Sequence, residues 1–146
     1  MIDKFGNRVD RVKFHPSYHR LMESAINHEV TSFAWKNEEK VGAHIGRSVL
    51  GMAHYKAEGG TSCPLTMTFA CLPALRHEPE VAKELMPLLT SDQYDPRDVP
   101  MSEKTGVTLG MSMTEKQGGT DVRQNTTTAK ALDSNEEQYE LIGHKW

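Results

Sequence analysis

Apolar side chains recur with helical spacing through the first two thirds of this chain and alternate with a two-residue period near its end. Tyr18, Leu21, Met22, Ala25 and Ile26 fall at i, i+3, i+4, i+7 and i+8, one stripe of a 3.6-residue helix. Pro16 suits the first position of that helix, where an N–H would be unpaired anyway, and Asn27-His28 suit its end. Val30, Phe33, Ala34 and Trp35 form a second apolar cluster, a packed connection. The longest helical pattern covers 38–56, with Val41, Ile45, Val49 and Met52 as its stripe and Ser48 and Ala53 filling it. That stripe predicts a core-facing side. Gly42, Gly46 and Gly51 weaken the helix by about 1 kcal/mol each against alanine, but admit a close neighbour. Gly59-Gly60 supplies a stop. Residues 63–76 are apolar nearly all round and predict a buried helix, started by Pro64 and kinked or ended by Pro73. A shorter amphipathic helix from Pro79 carries Val81, Leu85, Leu88 and Leu89, and Pro87 should disturb its last turn.

The period then changes. Residues 91–104 hold two prolines, Pro96 and Pro100, and many charges, which reads as a linker or long loop. Strands are predicted at 107–113, 126–132 and 138–142, the last two joined by Asp133-Ser-Asn-Glu-Glu. The polar residues 1–13, with Phe5, Val9 and Val12, read as an extended lead-in. The expected class is α+β: a helical domain over 1–95, a linker over 96–105, and the opening strands of an antiparallel β-domain over 106–146. Three strands leave open edges and a half-covered face, which is marginal alone. The chain is therefore expected to be part of a larger protein.

Composition narrows the function. A length of 146 residues is enough for a real core. A net charge of -3 argues against a generally basic, nucleic-acid-coating domain. Were the segment between Cys63 and Cys71 helical, their Cα atoms would stand roughly 12 Å apart, beyond the roughly 7 Å a disulfide spans. Reduced thiols in a cytoplasmic protein are expected. Met1-Ile-Asp-Lys lacks a signal-peptide apolar region, and no run reaches the roughly 18 apolar residues of a membrane span.

The densest candidate chemistry lies at 111–121. Val107, Leu109, Met111 and Met113 alternate into a polar turn in which Thr114 and Thr120 bring hydroxyls and Gly118-Gly119 permits positive φ and close approach. Such a turn can present backbone amides to a phosphate or to the amide-like edge of a planar heterocycle. Glu115 and Asp121 are either caps or ligand contacts. An ordinary strand-to-loop turn is equally compatible with these residues.

Met113-Thr-Glu-Lys-Gln-Gly-Gly-Thr-Asp-Val, followed by Tyr139-Glu-Leu-Ile-Gly-His-Lys-Trp146, resembles the flavin-binding region of acyl-CoA dehydrogenases. Phe14-His-Pro, Cys63-Pro-Leu-Thr-Met-Thr-Phe-Ala70 and Leu89-Thr-Ser-Asp-Gln-Tyr-Asp95 are more narrowly similar to the AidB-type branch, linked to the adaptive response to DNA alkylation. The resemblance spans nearly the whole chain. It implies a helical domain, a middle β-domain and a C-terminal helical bundle that is missing here. It also implies FAD as cofactor, with Met111, Ser112, Met113, Thr114, Glu115, Lys116, Gln117, Gly118, Gly119 and Thr120 along it. Thr114 matches the threonine at the flavin edge. Thr120 matches the serine of a Gly-Ser-Asp turn and keeps the hydroxyl. Trp146 precedes the segment that packs on the flavin. The catalytic carboxylate belongs to the C-terminal bundle, so no residue here takes that role. An acyl-CoA substrate, an electron acceptor and a homotetramer are implied for the intact protein. DNA is the partner implied for the AidB branch, through regions largely beyond Trp146.

Thr66 and Thr68 are candidates for the acyl pocket, since the corresponding helix borders it in the family. Threonines bonded to their own i−4 carbonyls are at least as good a reading. His15 and His19 are four apart but lack a third metal ligand. Cys71 and His77 make a poor nucleophile pair, because the cysteine sits in an apolar helix. A non-catalytic helical interaction domain of the same fold is the third function class.

Overall fold

The computed structural model describes residues 2–135 and 138–146. The chain divides into two compact units, Met1–Gly110 and Met111–Trp146. Among the described residues no helix is long and apolar enough to cross a membrane.

The first unit is helical. It holds α1 (Pro16–Asn27), α2 (Phe33–Lys36), α3 (Ala43–Ala57), α4 (Ser62–Leu75) and α5 (Pro79–Leu89). The bounds of α1 are those its sequence signals predict. His15 is the N-cap, its ring nitrogen accepting from the Ser17 amide at 3.1 Å. Met22, Ala25 and Ile26 of its stripe are buried and form the core with Val30 and Leu65.

α3 departs from expectation in two ways. It begins at Ala43, not near residue 38, because Gly42 takes φ 86°, a left-handed conformation that a helix cannot include. The stripe predicted to face the core is also exposed: Ile45 at 71% and Met52 at 63%, with Val41 and Val49. α3 docks through its other side. Ala43 is buried, and a Cβ on Gly46 would lie 2.6 Å from Phe33 Cε1. The Arg47 guanidinium sits 4.0 Å over the Phe69 ring and its Nε donates to Val30 O at 3.1 Å. Leu50 packs on the core. These positions are also helically spaced, so α3 carries two candidate faces. The small residues of one let its backbone come close to Phe33, and closeness decided which face packs.

α4 buries Leu65, Thr68 and Leu72, while Cys63 and Thr66 are exposed, so it is half-buried and not enclosed all round. Pro73 lies inside it without ending it, since the helix runs on to Leu75. Cys63 and Cys71 are free thiols.

The proline-rich stretch after α5 is closely held. The buried Asp95 accepts from Arg97 N, Nε and Nη2 and from Thr105 N. Gly106 presses on Gln93 O so closely that an added Cβ would overlap it and stand 3.2 Å from Ser91 Cβ. Gly106→Ala is expected to cost about 1–3 kcal/mol by overpacking against backbone that cannot give, measured by thermal denaturation.

The strand predicted at 107–113 is not a strand. Val107 N donates to Leu88 O at 3.2 Å and Leu109 N to Thr68 Oγ1 at 3.1 Å. Alternate amides are thus spent on helix α5 and on a threonine, which leaves no ladder edge at those positions. Met111 and Met113 are exposed.

The second unit contains one antiparallel pair, β1 (Thr128–Ala131) and β2 (Tyr139–Ile142), with Thr128 opposite Ile142 and Ala131 opposite Tyr139. Both strands are shorter than predicted and mostly exposed. Of the predicted hairpin connection, Glu136 and Glu137 lie outside the described residues.

Candidate cofactor site

Residues 111–120 lead into a tight turn in which Glu115 and Gly118 bridge and Gly118 takes φ 130°. Gly119 closes against Thr114, where a Cβ would fall 2.6 Å from Thr114 Oγ1. Only a residue without a side chain lets the threonine and the turn approach so closely.

Glu115 is the anchor of the unit. It is 2% exposed. One oxygen accepts from Lys145 Nζ at 2.8 Å and Thr127 N at 2.9 Å. The other accepts from Thr126 N at 2.7 Å, Thr126 Oγ1 at 3.0 Å and Gln117 Nε2 at 2.9 Å. The Lys145 hydrogen bond first, then the Thr126 amide and further donors, hold this carboxyl far below the usual carboxylate range. A carboxylate this fully engaged has no lone pair to offer a ligand. Glu115 therefore acts on the candidate site by shaping it, and Gln117 does the same: its Nε2 also donates to Gln124 O at 3.0 Å.

The backbone around Thr114 is held as well. Met113 O accepts from Asn125 Nδ2 at 2.9 Å, and Thr114 O accepts from Trp146 N at 2.9 Å. Thr114 is half-buried, and its hydroxyl finds no hydrogen-bond partner among the described residues. The structure thus brings Thr114, Glu115, Gln117, Gly118 and Gly119 into one tight turn. Ser112, Lys116 and Thr120 are exposed around it, along with Met111 and Met113. Asp121 caps the 3-10 turn Val122–Gln124, accepting from Arg123 N. Lys145, Asn125 and Thr126 belong to the same construction and carry no signal in the pattern of residues 111–121. The Gly-x-Lys spacing at 143–145 was the available hint to Lys145.

Thr66 and Thr68 are not brought together. Positions two apart on a helix face different ways. Thr66 lines a cavity of about 390 Å³ with Leu65, Val30, Met52 and Tyr55. Thr68 is fully buried, its hydroxyl donating to Pro64 O at 2.8 Å, the i−4 bond, and accepting from Leu109 N. His15 caps α1, while His19 shares a 2.8 Å hydrogen bond with Tyr94 OH, so the two histidines serve separate local roles. Burial pushes the Tyr94 phenol up to about 12 and also raises the Cys71 thiol, which disfavours a nucleophilic thiolate there.

A helical unit followed by a small β-containing unit defines an architecture that known proteins share. Residues 1–96 match the family model described as "Adaptive response protein AidB N-terminal domain", and the chain belongs to that family. It is 42% identical to the putative acyl-CoA dehydrogenase AidB of Escherichia coli (strain K12), over 99% of this chain and 26% of that protein. It is 28% identical to acyl-CoA dehydrogenase family member 11 of Caenorhabditis elegans, over 99% of this chain and 23% of that protein. The solved structure titled "Bd2924 apo-form" superposes with a TM-score of 0.79 at 25% identity, covering 99% of this chain and 28% of that one. The chain thus spans about a quarter of the length of these relatives.

Proposed function

We propose that this chain supplies the helical domain and one wall of the flavin site of an FAD-dependent acyl-CoA dehydrogenase-like protein. The observation that carries the reading is Thr114, whose carbonyl is fixed by Trp146 N while its hydroxyl stays uncommitted in a glycine-tight turn. The turn fits the group in two respects: it leaves an unspent donor at Thr114, and Gly119 keeps the backbone bare beside it. Thr114 would hold the flavin edge, and the Gly119 and Thr120 amides with the Thr120 hydroxyl would hold phosphate, since the Gly118 amide is spent on the Glu115 carbonyl at 3.0 Å. When bound, FAD supplies the hydride acceptor, at N5, for α,β-dehydrogenation of an acyl-CoA thioester. The carboxylate that takes the α-proton is assigned to the C-terminal bundle of the whole protein, with the electron acceptor and a homotetrameric assembly also belonging to that level. Thr66, on its cavity, is the better placed of the two threonines to meet an acyl chain.

In the full-length protein Thr114→Val is expected to weaken FAD binding by about three- to tenfold, the worth of one hydrogen bond, read by equilibrium dialysis. Unchanged affinity would count against the assigned contact. The 146-residue chain by itself is expected to retain no FAD, and a stoichiometric yellow chromophore on it would overturn that.

A second reading is favoured by the matched family's description as an adaptive response protein. Here the main role is DNA binding and protection, with weak dehydrogenase activity. The resemblance to the AidB branch assigns the basic surface for such a role largely to regions beyond Trp146, and the net charge of -3 is compatible with that. Salt-dependent DNA binding without flavin reduction by acyl-CoA would support this second reading over the first.

A further inference from the structure

We infer that Lys145 is a positioning residue for Thr114, acting through the Met113 carbonyl and the Glu115 carboxylate on either side of it. The inference rests on the proposed cofactor site at residues 111–120. Lys145 Nζ lies 2.8 Å from Glu115 Oε1 and 3.3 Å from Met113 O. One ammonium therefore bonds both chain neighbours of Thr114. Asn125 Nδ2 is the second donor to Met113 O, and Trp146 N, next in the chain to Lys145, takes Thr114 O.

The consequence for Thr114 is directional. In a planar trans peptide the N–H points opposite to the C=O. Holding Met113 O toward Lys145 and Asn125 aims the Thr114 N–H the other way. No described group accepts from that N–H or from the Thr114 hydroxyl. Lys145 thus orients one unspent donor, the Thr114 N–H, through the peptide it shares with Met113 O. A lysine suits the task because its three N–H donors serve two acceptors at once, one of them a buried carboxylate that needs a positive partner. Glutamine offers fewer donors and no charge.

A mere staple of the unit would stabilise it without tuning Thr114, and the two roles separate experimentally. In the full-length protein, Lys145→Gln is expected to weaken FAD binding about tenfold and to shift the visible flavin band, while Lys145→Arg, which keeps the charge and the donors, restores most of both. Thr126→Val removes one donor to Glu115 and none to Met113. It is expected to lower the melting temperature and leave the flavin band in place. Hydrogen exchange without flavin is expected to speed up at the Trp146 amide in Lys145→Gln, with the β1–β2 amides unchanged. Wild-type affinity and band in Lys145→Gln, or an equal band shift in Thr126→Val, would overturn the inference. Should Lys145→Gln not fold, Asn125→Ala tests the same carbonyl, and an unmoved band there overturns it too. If the wild-type protein binds no FAD, the cofactor reading fails by itself, and unchanged Trp146 exchange then sinks the positioning role independently.

Discussion

In Glu115→Ala the amides of Thr126 and Thr127 are expected to exchange with solvent at least tenfold faster, on the order of one lost hydrogen bond each. The turn at 113–119 should loosen with them, while the helical unit keeps its protection. Glu115 accepts five hydrogen bonds from four residues, and those donors join the candidate turn to the segment leading into β1 and to the chain after β2. Removing the carboxylate leaves the Thr126 and Thr127 amides without their acceptor at a site that is 2% exposed in the wild type, while Gln117 and Lys145 keep only their second acceptors, Gln124 O and Met113 O. Amide exchange followed residue by residue decides the outcome, and unchanged protection at Thr126 and Thr127 would refute it. The same carboxylate sets an acid limit. Its folded pKa is depressed, chiefly by Lys145, so the stability it contributes is full above the ordinary glutamate value of about 4.3 and declines as pH falls below it toward the depressed value. Wild-type protein should lose order in the second unit on acidification, and Glu115→Gln should show a flatter dependence over the same range.

Leu65→Ala is expected to destabilise the helical unit by about 2–5 kcal/mol, a large part of the roughly 5–15 kcal/mol that hold a domain together. Leu65 is 1% exposed, on α4, against Met22, Ala25, Ile26 and Val30. Truncating it opens a cavity where the connection after α1 meets α4. The transition should fall by roughly 8–40 °C, at about 4–8 °C per kcal/mol for a unit of this size. Ile45→Ala makes the contrast. The residue is 71% exposed, so the change is expected to stay within about 0.5 kcal/mol, although the hydrophobic pattern alone ranks Ile45 with the core. Thermal melts of both variants, monitored by helical circular dichroism, check the pair.

Those two leucine and isoleucine positions show where reading residues stops. The bounds of α1 were legible because Pro16 and Asn27-His28 act within a turn of the backbone they control; the His15 cap came from the structure. The β1–β2 pairing was legible for the same short-range reason, though its strands proved shorter. The buried side of α3 was not legible. Two faces of that helix repeat at 3.6 residues, and the choice depended on Phe33 fitting against Gly46. The ladder expected at 107–113 failed because its amides found Leu88 and Thr68, partners 19 and 41 residues away.

The candidate site divides in the same manner. The chemical inventory at 111–120 is written in the residues: two threonine hydroxyls, a glycine pair, a carboxylate, and the family to which that arrangement is similar. Which of these groups are spent follows from the folded arrangement. Glu115 is consumed by Lys145, Thr126, Thr127 and Gln117, whereas the Thr114 hydroxyl is left over. The physical reason is range. Periodicity, caps and turn residues act over a few positions and are written locally. Whether a polar group is satisfied depends on donors that folding brings from far along the chain, here a lysine thirty residues away.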